Sequence, residues 1–390
     1  MTALQSPRDQ TAGTAPADLA CGSCGAVTEW SFTHKCGECG GLLDSRYDLG
    51  AVTFPESADP VERYGALLPM REPGRLVPGI CVTTPCWRAT GLGDRIGVPD
   101  LWLKGEFAQP TGSTKDRMAA VVVPMLREFG IERFVTSSTG NSSSAMARAL
   151  GLYDGVRGDF FCATDFAGRH SHFDHSRAQL HVVEGDFVAA EKAARAYSSA
   201  HGLVWEGGFF NWGRREGLKT AYLEAFDQMD RTPDIVVQAV SSGMGMLGAQ
   251  KGVEEYLALG RLTHQPRLVM VQQETCAPMA RGWQSGKKKL GAEDIIAKPS
   301  GLATAILRGN GTASYPYLYR LAELSGGEIA MVATEELRRA RELLRETEGV
   351  DACYASAATI AAIIRGRDAG RIGPEETVLA NLTGSQREDA

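Results

Sequence analysis

From about residue 80 onward the chain alternates short apolar runs with longer stretches of helical pattern. The clearest runs are Ile235-Val236-Val237-Gln238-Ala239-Val240 and Arg267-Leu268-Val269-Met270-Val271. Both are rich in β-branched residues and bounded by turn signals, so they read as strands. Leu101-Trp102-Leu103, Arg133-Phe134-Val135-Thr136, Asp159-Phe160-Phe161-Cys162-Ala163, Leu180-His181-Val182-Val183 and Leu203-Val204-Trp205 read the same way, and Val378-Leu379-Ala380-Asn381-Leu382 reads as a terminal strand. Between them lie helical patterns: one beginning near Lys115, an Ala-rich one from Ser142, and one from Glu335 to Glu346. This alternation predicts an α/β protein with parallel sheets, because parallel strands need a crossover to connect them. No internal repeat interrupts the pattern.

Composition narrows the class. A chain of 390 residues, 43% hydrophobic and 23% charged, has ample material for two or three cores. No apolar run approaches the roughly 20 residues that span a bilayer, so no membrane partner is expected. The first residues, MTALQSPRDQTAGTAPADLA, lack the basic-then-apolar order of a signal peptide and read as a disordered tail, which makes a cytoplasmic protein the expectation. A net charge of −6 argues against a nucleic-acid partner, and the one basic triplet, Lys287-Lys288-Lys289, reads as a solvated loop.

The nine cysteines fall into two populations. Cys21, Cys24, Cys36 and Cys39 follow C-x2-C-x11-C-x2-C, with glycines after Cys24 and Cys39 that open the turns. Two such pairs aim four thiolates at one tetrahedral cation, the arrangement of a zinc ribbon. With every position filled by sulfur, a zinc ion here would be structural. Cys81, Cys86, Cys162, Cys276 and Cys353 are scattered and read as small buried hydrophobes.

Four segments carry candidate chemistry. Pro110-Thr111-Gly112-Ser113 is a turn that places Lys115 in the first turn of a helix. Helix N-termini favour acids, so a lysine there is either an ordinary surface residue or an amine whose pKa the local positive field lowers, as a Schiff-base lysine requires. Thr136-Ser137-Ser138-Thr139-Gly140-Asn141-Ser142-Ser143 follows a strand and presents hydroxyls and a carboxamide to the crevice at its carboxyl end. Val240-Ser241-Ser242-Gly243-Met244-Gly245 is again strand, glycine-rich turn and helix, a shape that lets backbone N–H groups converge on a phosphate. It is neither the P-loop nor the dinucleotide pattern. Leu382-Thr383-Gly384-Ser385 ends the last strand in hydroxyl residues. An amine, an anion cradle, a hydroxyl-and-amide loop and a neutral partner are together what pyridoxal 5′-phosphate (PLP) requires.

In this order the chain carries Gly40-Gly41-Leu42-Leu43-Asp44, Thr84-Pro85, Pro110-Thr111-Gly112-Ser113-x-Lys115-Asp116-Arg117 and Ser138-Thr139-Gly140-Asn141. Asn211-x-x-Arg214-x-Glu216-Gly217-x-Lys219-Thr220, Ala303-Thr304-Ala305-Ile306 with Gly309-Asn310, Glu348-Gly349 and Leu382-Thr383-Gly384 follow. From the ribbon to the C-terminus this resembles the threonine synthase branch of the fold-type-II PLP enzymes. The resemblance implies a disordered tail (1–19), a zinc ribbon (20–45), an N-terminal domain with Lys115 (46–205) and a C-terminal domain with the phosphate loop (206–390), assembled as a homodimer. It implies that Lys115 holds PLP as a Schiff base and moves protons, that Asn141 bonds the ring oxygen, and that Ser241, Ser242, Gly243, Met244 and Gly245 hold the phosphate. Thr383 would face the pyridine nitrogen. Ser113, Ser138, Thr139 and Ser142 would bind the substrate, with Asn211, Arg214 and Lys219 as a phosphate clamp or, alternatively, a helix-start ion network. The implied reaction converts the small molecule O-phospho-L-homoserine to L-threonine by loss of phosphate and addition of water.

Several positions depart from that branch. Thr114 stands where an aromatic is usual and Met118 where a small residue is usual. The Ser-Ser-Gly-Met-Gly loop, Cys353-Tyr354 in place of Glu-Pro, and Ser385-Gln386 in place of His-Gly are further differences. They leave open a related replacement, such as a cysteate-synthase-like reaction of O-phosphoserine with sulfite; a non-catalytic zinc-ribbon adaptor is the reading of another class. His170, His172 and His175 place three of seven histidines within six residues, either a polar loop or, were His172 and His175 to share a helix face, an anion or metal site.

Overall fold

A computed structural model describes residues 18–386 of the chain. Asp18 and Leu19, read above as tail, open a strand; the rest of that tail lies outside the described residues. Strands β1 (Asp18–Cys21), β2 (Val27–Glu29) and β3 (Leu43–Ser45) form a small antiparallel sheet in the order β2-β1-β3. Then come a single turn α1 (Pro60–Arg63), β4 (Cys86–Arg88), α2 (Thr90–Ile96), β5 (Leu101–Gly105) and α3 (Lys115–Glu128). A second run holds β6 (Arg133–Ser137), α4 (Asn141–Leu152), β7 (Arg157–Ala163), β8 (Ala178–Val183), α5 (Phe187–Ala200) and β9 (Val204–Trp205). The remainder is α6 (Trp212–Gln228), β10 (Ile235–Ala239), α7 (Met244–Ala258), β11 (Arg267–Gln273), α8 (Pro278–Gln284), α9 (Tyr315–Ser325), β12 (Glu328–Val332), α10 (Thr334–Glu348), α11 (Tyr354–Asp368) and β13 (Val378–Leu382).

Two larger sheets result. Strands β8-β7-β6-β9 are all parallel. The six-stranded sheet β12-β11-β10-β13-β5-β4 is parallel except for β4, which runs antiparallel to β5 at one edge. The expectation of parallel sheets is therefore corrected to one parallel and one mixed. Sheet membership also crosses residue 205, because β5 pairs with β13 from the second half of the chain and carries β4 on its other side. No helix of the described residues is long and apolar enough to cross a membrane.

Period-two alternation builds the core on both faces of the large sheet. From β10, Ile235, Val237 and Ala239 join Ile360 and Ile363 of α11 on one side, while Val236 joins Tyr222 of α6 and Ala249 of α7 on the other. Strand β13 is buried at all five positions, as a central parallel strand must be. The small N-terminal sheet docks through aromatic contacts. Trp30 lies 4.8 Å from Trp212 and 5.5 Å from Phe129, and the Trp212 indole donates to Thr33 O at 3.0 Å.

Helix α6 is the unexpected core element. Residues 212–226 are buried although they include Arg214, Arg215, Glu216, Lys219 and Glu224. Burial of so many charges is sustainable only when each is paired. Glu224 meets Lys104 at 2.5 Å and Arg117 at 2.6 Å, and Arg117 also donates to Glu106 at 2.8 and 2.9 Å. Thr84 closes this quartet, its hydroxyl donating to Glu106 at 2.6 Å and its amide to Glu224 at 2.9 Å. Burial would raise the Glu224 carboxyl, but Arg117 and Lys104 outweigh it and hold the group down at about 2. Removing one member of such a set strands the others, at a cost of about 3–5 kcal/mol. Glu224→Ala should therefore unfold at clearly lower denaturant concentration; an unchanged midpoint would show that the network contributes nothing net.

Candidate active site

Four loops leave the carboxyl ends of β5, β6, β10 and β13; three of these strands, β10, β13 and β5, lie side by side and parallel in the large sheet. The first joins β5 to α3. Here the Asp116 carboxylate accepts from Thr111 N at 2.8 Å and Thr111 Oγ1 at 2.9 Å, tying the turn to the helix start. Gly112 has φ +72°, and a Cβ there would come within 2.5 Å of the Ser385 hydroxyl, so both conformation and space call for glycine. Thr114 makes no side-chain cap; its amide donates to Thr383 O at 3.0 Å, while Ser385 N donates to Gly112 O at 2.9 Å. The lysine loop is thereby strapped to the exit of β13. Lys115 is the first residue of α3 and is partly buried. Desolvation first, and the nearby Arg214 second, pull its amine down to about 8 against the opposing pull of Glu106.

The second loop joins β6 to α4. Gly140 has φ +128°, and the Ser138 hydroxyl accepts from the amides of Gly140 (3.1 Å) and Ser143 (3.2 Å). Ser138 thus shapes the loop, while Thr139 and Ser142 are partly exposed beside it. The third loop ends in Gly243 at φ +82°, where a Cβ would run into Leu318, and in Gly245, where one would meet Gln238 at 2.6 Å. No side chain caps α7, so its first-turn amides are left for a ligand. The fourth brings Thr383 beside Ser113, whose neighbour across the bridge is Gly384. A cavity of about 160 Å³ lies against the second and fourth of these loops. Its walls are Asn141 and Arg169 from one side and Thr304, Cys353, Tyr354 and Ser385 from the other.

The residues suit a PLP molecule on structural grounds. Ser113 Oγ, Asn141 Oδ1 and Asn381 Oδ1 are buried without a hydrogen-bond partner among the described residues. Buried polar atoms are seldom left so, and a polar ring with an anionic arm is the kind of ligand that satisfies them. The glycine-lined helix start offers the anion cradle and Lys115 the low-pKa amine.

Other expected site residues lie elsewhere in the balance of charge. Asn211 caps α6 by accepting from Gly213 N, and its amide donates to Glu206 at 2.7 Å. Arg214 is held by Glu206 through two nitrogens, one at 2.6 Å. Lys219 spends its donors on Leu67 O, Glu216 and Glu255 at 2.7–2.9 Å. Asn211 and Arg214 meet on Glu206 at the helix start, while Lys219 belongs to a separate network with Glu216 and Glu255 that takes its three donors. The histidine cluster forms no helix face either: residues 170–174 are irregular, His172 sits at φ +64°, and His170 Nδ1 contacts Phe166 O at 2.8 Å. The four clustered cysteines are the one candidate metal-ligand group among the described residues. Sequence reasoning did not assign Arg169 or Thr304 to the crevice, because both sit in short 3-10 turns without a strand–turn–helix signature.

A lysine-bearing first turn and a glycine cradle across an interlobe crevice define a class, and comparison with known families agrees. Residues 79–384 match the family described as "Pyridoxal-phosphate dependent enzyme", and the chain belongs to it. Within that family it is 31% identical over 384 residues to a threonine synthase of Methanosarcina acetivorans, covering 95% of this chain and 92% of that one. It is 28% identical over 387 residues to a cysteate synthase of Methanospirillum hungatei, covering 94% and 89%. Among solved structures, maize serine racemase superposes with a TM-score of 0.65 at 18% identity over 79% of this chain and 89% of that one, a likeness of fold.

Two outcomes follow from this geometry. Only the unprotonated amine attacks an aldehyde, so capture of PLP by the apoprotein should accelerate as pH rises through about 8 and then level off. Stopped-flow absorbance checks this; a pH-independent rate, or a visible band in Lys115→Ala, would refute it. Gly243→Ala should weaken PLP retention on dialysis, since the new Cβ demands both a strained backbone and displacement of Leu318.

Proposed function

We propose that the protein removes phosphate from O-phospho-L-homoserine and adds water to give L-threonine. The observation that carries the reading is a low-pKa Lys115 at the start of α3 whose loop is strapped to the exit of β13, with the Ser113 hydroxyl and the Asn141 carboxamide oxygen buried and unpartnered beside it. PLP bound there supplies an electron sink for the substrate carbanion. In this reading Asn141 orients the ring oxygen, Ser241 to Gly245 hold the phosphate arm, and Thr383 offers a neutral partner to the ring nitrogen. Thr139 and Ser142 donate to the substrate carboxylate. Lys115, its pKa near neutrality, takes and returns the protons at Cα and Cβ.

A second reading, replacement of phosphate on O-phosphoserine by sulfite, is favoured by one particular: the cavity is small and walled by Tyr354 and Cys353. Supplying holoenzyme with each substrate separates the two. Phosphate and threonine from O-phosphohomoserine support the first; phosphate and cysteate from O-phosphoserine with sulfite, and none from O-phosphohomoserine, support the second. Release of phosphate from neither would overturn both.

The N-terminal cysteines are read as a structural zinc site. Their sulfurs lie within 4.8 Å of one another, with Cys21–Cys39 at 3.5 Å and Cys24–Cys36 at 3.7 Å. Tetrahedral zinc with bonds of about 2.3 Å sets sulfurs about 3.8 Å apart, whereas a disulfide needs about 2.05 Å. Purified protein should carry one zinc per chain, and Cys36→Ser should lose it and lower the thermal midpoint; metal content and scanning calorimetry check this.

A further inference from the structure

The turn that leads into α7 carries no cation: from Val240 to Met246 it reads Val-Ser-Ser-Gly-Met-Gly-Met. A dianion seated there depends on neutral donors and on the helix start. One more donor lies against that start. Period-two alternation turns Val236 and Gln238 of β10 toward α6 and α7, and Leu379 and Asn381 of the neighbouring β13 to the same face. Gln238 and Asn381 are polar residues in an apolar layer, 6% and 1% exposed.

The Gln238 carboxamide can point only one way. Its Oε1 accepts from the Tyr222 hydroxyl and from Asn381 Nδ2, the latter at 2.9 Å. Two donors fill both lone pairs of a carbonyl oxygen. Desolvation pushes the buried Tyr222 phenol up, so its hydroxyl keeps the proton and stays a donor. Turning the amide over would set donor against donor. Nε2 is the end left over. It makes no hydrogen bond among the described residues and lies against Gly245, the second residue of α7, where a Cβ would come within 2.6 Å of it. Asn381 Oδ1 is likewise buried without a partner. Buried amides are seldom left so, and this array is incomplete without a ligand.

We propose that Gln238 is a further phosphate-binding residue of the cofactor seat, its Nε2 donating to the PLP phosphate at the start of α7, with Tyr222 and Asn381 as the positioning residues that aim it. A hydrogen bond from a fixed, desolvated donor to a charged oxygen is among the strong ones. The inference rests on the reading that Ser241 to Gly245 hold the phosphate arm, and the experiment separates the two.

The test compares PLP with pyridoxal, which has the same ring and aldehyde but no phosphate. Full-length wild type, Gln238→Leu, Gln238→Glu, Tyr222→Phe and Gly243→Ala are stripped of cofactor and titrated with each aldehyde, and the visible Schiff-base band gives both dissociation constants. The preference for PLP over pyridoxal should fall about tenfold or more in Gln238→Leu, as for loss of a bond to a charged group. It should fall further in Gln238→Glu, whose carboxylate repels the phosphate. Tyr222→Phe keeps the Gln238 side chain but frees its amide to turn, and should lie between wild type and Gln238→Leu. Pyridoxal capture should match wild type in all three, which a packing defect would not spare. Should Gln238→Glu fail to fold, the other two variants carry the test. An unchanged preference in both Gln238 variants, or equal loss of both aldehydes, would overturn the assignment. A preference that falls in Gly243→Ala but in neither Gln238 variant would leave the turn as the phosphate seat and remove Gln238 from it. A preference equal to wild type in Gly243→Ala as well would overturn the reading of the turn with it.

Discussion

The buried quartet of Arg117, Glu106, Glu224 and Lys104 is the constraint on which the rest of the site depends. Its members come from α3, the turn after β5, α6 and β5 itself, so one neutral cluster fixes the mutual position of a strand, the loop leaving it and two helices. Arg117 lies two residues after Lys115, and with both carboxylates held in place the first turn of α3 has one orientation. A hydrophobic substitute would fill the same volume. It would not fix the angle at which the lysine enters the crevice, because apolar contacts lack direction. We attribute the retention of four charges in a dry core to that directional demand.

The same neutrality sets the chemistry. Glu106 pulls the Lys115 amine up, but desolvation and Arg214 prevail. The amine ends near neutrality, where it can serve as nucleophile in one step and proton carrier in another. Arg214 in turn is tempered by Glu206, whose carboxylate also receives Thr136 and Asn211. The site is thus poised by pairs of charges behind it, and its surface toward the ligand is made of hydroxyls, carboxamides and backbone amides.

Much of this was legible in the chain. Strands β10 and β11 declared themselves by β-branched runs, and α3 begins at Lys115 as the Pro-Thr-Gly-Ser turn implied. Strands β4 and β12 escaped notice. The first is a three-residue antiparallel edge, and the second ends in a methionine-valine pair that a helix would accept equally well. The burial of helix α6 was not legible, since nothing in a run holding Arg, Arg, Glu, Lys and Glu marks it as a core element. What buries it is pairing to residues as distant as Asp44 and Glu255, and pairing across such separations leaves no periodic trace. For Asn211, Arg214 and Lys219 the sequence left a phosphate clamp and an ion network open, because motif spacing identifies charged residues and not the partners that the fold brings to them.

The two walls of the crevice differ in origin, and that difference bears on how such a protein acquires a new substrate. The lysine loop, the Ser138–Asn141 loop and the glycine cradle each connect a parallel strand to a helix, so their backbones are fixed by sheet register and by glycines that accept no Cβ. The opposite wall is made by residues 301–305 and by Cys353, Tyr354 and Ser385, which enter as side chains on loops and a helix start. Ser356 bridges part of it, its hydroxyl donating to Gly384 O at 2.9 Å and accepting from Gly384 N at 3.2 Å, so the wall is held without being dictated by a strand. Changing Cys353 or Tyr354 alters the shape of the cavity while leaving the strand ends that carry Lys115 and the glycine turn untouched. The departures Cys353-Tyr354 and Ser385-Gln386 fall on this second wall. A fold that builds one wall on strand ends and the other on loop side chains can keep the first and vary the second.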